Sequence, residues 1–176
     1  MPKISKDEQK KIKEMFSNKM AGEVNIIYFS KDDECEYCED TEQILSEISA
    51  LDDRIELEVN QLGGDKAEEY GIKRAPATIF VDESGRDKGV HFYGIPSGYE
   101  FNTLIEDIID ISQEKPDIPD EMIEKINKID SEVKLQVFIT PSCPYCPRAI
   151  RVAHQMAMIN DKIQGEMIES VEFPDL

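Results

Sequence analysis

Residues 133–150 read VKLQVFITPSCPYCPRAI, an apolar strand pattern from Val133 to Ile139, then Cys-Pro-Tyr-Cys, then the start of a new apolar pattern. The run suits a strand, and the residues after Cys146 suit a helix through Met158. Cysteines at i and i+3 in the first turn of a helix lie on one side of it, close enough to bond to each other. The outer sulfur then meets backbone N–H groups that no helical carbonyl has claimed. They favour thiolate and lower a thiol pKa from ~8.5 into the range ~3.5–7.5. Such a thiol is a nucleophile at neutral pH, and its neighbour resolves the mixed disulfide that it forms. Strand, loop, dithiol and helix in that order therefore point to thiol–disulfide chemistry.

The order occurs twice. Val24 to Phe29 precede Cys35-Glu36-Tyr37-Cys38, and the offset of 108 that carries Cys35 onto Cys143 also carries Asp53-Arg54-Ile55 onto Asp161-Lys162-Ile163 and Val59 onto Met167. Two copies of one unit explain a spacing that persists so far beyond the cysteines. In the first copy, Ser5 to Glu8 is a capping-box signal for a helix bearing Ile12, Met15, Phe16 and Met20. After the strand and the dithiol, a helix presents Ile44, Leu45 and Ile48, and Ile55, Leu57 and Val59 alternate with charged residues as in a half-buried strand. Arg74-Ala75-Pro76-Ala77 then leads into a hairpin, Thr78 to Val81 and Val90 to Tyr93, turning at Asp82 to Gly85. Ser97 with Glu100 signals a cap for a last helix carrying Phe101, Leu104, Ile105 and Ile108.

Lys115 to Pro119 reads as a linker, with Pro119 suited to the first turn of a helix presenting Met122, Ile126 and Ile129. The expected architecture is α/β, with two tandem thioredoxin-like folds: a complete unit over residues 1–116 and an incomplete one over 117–176. On the repeat's own length the second unit stops 48 residues short and has no counterpart of Ala75-Pro76. The strand edge this leaves is expected to pair with the first unit or with a second copy, making a homodimer a further expectation.

Composition narrows the function. A formal charge of −18 argues against nucleic acid and against an anionic membrane surface, since binding either requires a basic footprint. No apolar run approaches the ~20 residues that span a bilayer, and residues 1–14 are polar and charged rather than leader-like, so a cytoplasmic location is expected. The four cysteines fall into two close pairs, which is redox or metal spacing rather than a secreted disulfide framework.

Cys143-Pro144-Tyr145-Cys146, Cys35-Glu36-Tyr37-Cys38 and the stretch Phe92 to Phe101 resemble the archaeal and thermophilic protein disulfide oxidoreductases, glutaredoxin-like proteins with two tandem thioredoxin folds. The resemblance covers nearly the whole chain. It implies dithiol–disulfide exchange on protein substrates, with Cys35 and Cys143 as nucleophiles and Cys38 and Cys146 as resolving thiols. It also implies that Ala75 and a cis Pro76 hold substrate backbone beside the first pair; Tyr37 and Tyr145 are candidate substrate contacts, with packing as the equal alternative. No metal or organic cofactor is implied, and electrons would come from a flavin-dependent thioredoxin reductase.

Other readings stand beside this one. Four thiolates can hold a zinc ion, but only if the two units face each other; a scaffold in which the cysteines are secondary is a second alternative. A third is the two-thioredoxin-fold segment of peroxide-reducing flavoenzymes, in which one unit is expected to keep both cysteines. His91 and His154 are far from any cysteine in sequence and suit ordinary roles, and Met156, Met158 and Met167 suit core. Acids crowd the first pair, whereas the second has Arg148 and Arg151 on its helix. Cys143 is therefore expected to be the more acidic thiol.

Overall fold

The computed structural model describes residues 2–176; Met1 lies outside the described residues. Twelve elements follow in chain order: α1 (Lys6–Lys19), β1 (Val24–Ser30), α2 (Cys38–Ser49), β2 (Ile55–Gln61), α3 (Asp65–Glu69), β3 (Ala77–Val81), β4 (Asp87–Tyr93), α4 (Glu100–Ser112), α5 (Asp120–Ile126), β5 (Val133–Ile139), α6 (Cys146–Ile159) and β6 (Ile163–Glu169). The six strands form a single sheet in the order β2-β1-β3-β4-β6-β5. Only β3 runs against the others, because β1–β3 and β3–β4 are antiparallel while β1–β2, β4–β6 and β5–β6 are parallel. The fold is mixed α/β.

Strand burial follows position. β1 lies inside the sheet and is covered on both faces, so its continuous apolar run divides by parity. Ile26 and Tyr28 enter the larger core with α1, α2 and α4, while Ile27 and Phe29 enter a smaller one with Ala67 and Ile72. β5 is an outer strand, and its residues alternate between half-buried and exposed up to Ile139. Ser5 and Glu8 form the reciprocal capping box of α1 that the sequence signalled.

Three local readings change. The Ser97–Glu100 capping box does not form: Tyr99 occupies the N-cap of α4 without a side-chain bond, and the Glu100 N–H bonds the Ser97 carbonyl at 3.2 Å instead. The turn is set by Gly98, at φ +63°, whose missing side chain leaves room for the Pro141 carbonyl 2.8 Å from where a Cβ would sit. Pro119 caps α5 from outside rather than entering its first turn, and the helix ends at Ile126, before Ile129. Finally, Val24 lies opposite Ile55 while Val133 lies opposite Ile163. The first strands of the two halves are thus offset by 109 and the second strands by 108, so the loop before Cys143 is one residue shorter than the loop before Cys35.

The halves meet where β6 pairs with β4 and α6 packs on α4. Gly165 permits this helix layer: a Cβ there would lie 2.7 Å from the Ala153 carbonyl of α6. Arg151 of α6 bonds Asp107 and Asp110 of α4 and reaches Glu106 at 3.1 Å. His154, fully buried, meets the Asp107 carboxylate at 2.6 Å and the His91 carbonyl at 3.2 Å.

Candidate active site

Each cysteine pair is bonded to itself, Cys35 to Cys38 and Cys143 to Cys146, both with Cα atoms 5.5 Å apart. Cys38 and Cys146 are the first residues of α2 and α6, and Tyr37 and Tyr145 are the N-caps, neither capping through its side chain. No side chain caps the first-turn N–H groups of either helix, and Pro147, in the first turn of α6, has no N–H of its own. Cys38 is buried and held by the Tyr28 hydroxyl, which donates to its carbonyl at 2.7 Å; Cys35 is half-exposed. In the second pair both cysteines are half-exposed.

The sheet sets where the remaining predicted residues fall. Because β3 is antiparallel to β1, with Ala77 opposite Phe29, the start of β3 lies at the end of β1 from which the Cys35 loop departs. Ala75-Pro76, a cis peptide, immediately precedes it, and the Pro76 carbonyl accepts the Gly94 N–H at 2.9 Å. Ala75, Pro76 and Tyr37 are therefore at the same sheet end as the first disulfide. Tyr145 is 85% exposed beside the second.

β1 and β5 run in the same direction, so both disulfides sit at one end of the sheet. Four strand spacings of ~4.8 Å separate β1 from β5, or ~19 Å. Four thiolates at ~2.3 Å from one zinc ion cannot be drawn from strands so far apart.

Two solved structures share this fold. Over 98% of this chain and 82% of the other, the fold superposes on the C503A mutant of the alkylhydroperoxide reductase AhpF from Enterococcus faecalis (V583), with a TM-score of 0.88 at 26% identity. A protein disulfide oxidoreductase from Aeropyrum pernix k1 gives the same TM-score of 0.88 at 29% identity, over 97% of this chain and 77% of that one. The chain is thioredoxin-fold and disulfide-oxidoreductase-like. No family model matches it. Among curated proteins, an alkyl hydroperoxide reductase component of Staphylococcus aureus (strain Mu50 / ATCC 700699) is 30% identical over 138 residues, 78% of this oxidoreductase-like chain. The chain spans about a quarter of the length of the curated relatives it matches, 25% in that case. The likeness to the alkylhydroperoxide reductase is thus as close in structure as that to the Aeropyrum pernix oxidoreductase, and here both halves carry two cysteines. Among the described residues, no helix is long and apolar enough to cross a membrane.

Several residues near the disulfides escaped the sequence reading. Glu172, past the end of β6, accepts the Ile95 N–H at 2.7 Å, and its own N–H donates to Glu169 at 2.7 Å. Burial foremost, with Glu169 and Glu36 adding negative charge, pushes the Glu172 carboxyl up to about 7. Glu36 chiefly, with Glu172 and Glu169, raises the Tyr37 phenol. Glu100 is buried, with no partner among the described residues for either carboxylate oxygen, and burial raises its pKa, as does Glu169. No local signal marks this group, since it gathers residues from the Cys35 loop, the start of α4 and the segment after β6. Conversely, Arg151, read as a cation serving the second pair, is engaged by three acids of α4. Arg148 remains as the exposed cation of that helix.

Proposed function

We propose that this chain exchanges disulfides with protein thiols, with Cys35 and Cys143 attacking and Cys38 and Cys146 resolving. The observation that carries the reading is the placement of each bonded pair at the uncapped start of a helix. In the reducing direction, the Cys35 thiolate attacks one sulfur of a substrate disulfide, forming a mixed disulfide and releasing a substrate thiolate that takes up a proton. Cys38, losing its proton, then attacks the Cys35 sulfur and releases the second substrate thiol. Two electrons pass to the substrate, and the chain is left with its own disulfide. The reverse sequence oxidises a dithiol.

Under this reading, residues 1–116 and 117–176 are two units of one repeat, each with its own redox pair. Ala75, Pro76 and Tyr37 contact substrate at the first site and Tyr145 at the second. Reducing equivalents enter from a flavin-dependent reductase of the thioredoxin reductase type, in the cytoplasm, and the open edge of β5 pairs with a second copy.

The test is insulin reduction by dithiothreitol. Wild type should exceed a protein-free blank, Cys35→Ser and Cys143→Ser should each lower the rate, and the double variant should abolish the excess. Wild-type activity no greater than the blank would leave the scaffold reading in its place.

A further inference from the structure

Beside the first disulfide lies an open groove of about 670 Å³, which Cys35 and Cys38 both line. Its walls carry Asp32, Glu36, Glu39, Asp40 and Glu42 against the lone cation Lys31. Lys3 bonds Asp40 at 2.6 Å, and Lys31 leans towards Glu34 at 3.4 Å. Among the described residues, Asp32, Glu36, Glu39 and Glu42 enter no ion pair. Anything approaching Cys35 from this side therefore crosses uncompensated negative charge.

The second disulfide provides an internal contrast. No carboxylate occurs in the chain between Val133 and Asn160, and Arg148 is exposed on the helix that carries Cys146. Clefts lined by one sign of charge raise the local concentration and association rate of oppositely charged partners by ~10- to 10³-fold, and repel partners of like charge. The charges at the first pair are close enough to act at the sulfur despite salt, because they lie on its own loop and helix rather than beyond a Debye length of ~8–10 Å.

Resting on the function proposed above, we infer that Cys35–Cys38 selects thiol or disulfide partners whose cysteine is flanked by Lys and Arg, whereas Cys143–Cys146 accepts partners irrespective of charge. The disulfide is the reacting site; Asp32, Glu39 and Glu42 determine which partner reaches it. Glu36 lies between the two cysteines and acts on the thiol itself, so it does not belong in the test. The two pairs then divide one set of substrates by charge instead of duplicating each other.

The experiment uses the full chain in two forms, one retaining only the first pair (Cys143→Ser with Cys146→Ser) and one retaining only the second (Cys35→Ser with Cys38→Ser). Each is pre-reduced and mixed with two synthetic peptides that contain the same disulfide, one flanked by Lys and Arg and the other by Asp and Glu. For the first-pair form, the basic peptide should react ~10-fold or more faster than the acidic one at ~0.01 M salt. That ratio should collapse towards unity at ~1 M salt, where the Debye length is ~3 Å. The combined variant Asp32→Asn, Glu39→Gln, Glu42→Gln should lose most of the ratio while still reducing an uncharged disulfide. The second-pair form should show no preference for the basic peptide. Equal rates for both peptides with the first-pair form would overturn the charge selection and leave the exchange chemistry standing. Failure of both forms to reduce either peptide would instead overturn the exchange chemistry.

Discussion

Glu172 keeps its proton far above the normal carboxyl range because it is partly buried and faces Glu169 and Glu36, with the Ile95 N–H only partly offsetting this. An acid whose value is raised by folding stabilises the fold most when protonated. Its contribution is complete below the unfolded value of 4.5 and is lost as the pH rises through about 7. Comparing wild type with Glu172→Gln by denaturant unfolding across that interval should show wild type losing ~1–2 kcal/mol relative to the variant, after allowance for the side open to solvent. A difference that stays flat with pH would remove Glu172 from this role. The cysteines were legible at this scale because both partners of each pair lie three residues apart, and the helix start beside them is local too. Glu100, Glu169 and Glu172 were not, since the sheet alone brings α4 and the segment after β6 to the Cys35 loop.

α6 shows what a single element hides. Its sequence displays Arg151 one turn beyond Cys146 with no acid nearby, which reads as a cation available to the thiol. The acids come from α4, more than forty residues earlier, and claim Arg151 together with His154. Asp107 is fully buried, so removing Arg151 leaves its carboxylate with the His154 contact alone. Arg151→Ala should therefore destabilise the fold by ~3–5 kcal/mol, as is typical of breaking a buried ion pair, and urea midpoints would show it. A loss below ~1 kcal/mol would mean that the pair is effectively solvated. Helices whose start is written locally, such as α1 with its capping box, were readable there, although Met20 falls on the C-cap of α1 and not within it. α4 was readable in its apolar face but not in its first turn, because Gly98 answers to Pro141, a residue of the other half of the chain.

Across the whole molecule, the topology sets the strands that lead into the two disulfides ~19 Å apart in one sheet. Sulfurs must touch to exchange, so the pairs should act in parallel and not in series. Initial rates of the first-pair and second-pair forms, measured on an uncharged disulfide, should add to the wild-type rate. A wild-type rate far above the sum would point to direct transfer between them. β5 belongs to this scale as well: among the described residues its outer edge has no strand beside it, and light scattering as a function of concentration checks the pairing of two copies through it. Phe138 is 46% exposed on that strand, so Phe138→Lys should weaken such a dimer while leaving the core intact, since a charge on an edge strand opposes edge-to-edge pairing. The repeat itself was legible as a spacing. That β6 would dock on β4, continuing one sheet through both halves, was not, because strand neighbours are chosen by packing between halves that share no local signal.

With five strands running one way, both disulfides lie at one pole of the molecule. A bulky body pressed against the pole carrying Tyr37 and Tyr145 would silence both sulfur pairs at a stroke. A tag, surface or fused protein attached at the opposite pole, near the Asp82–Gly85 turn, would leave both open.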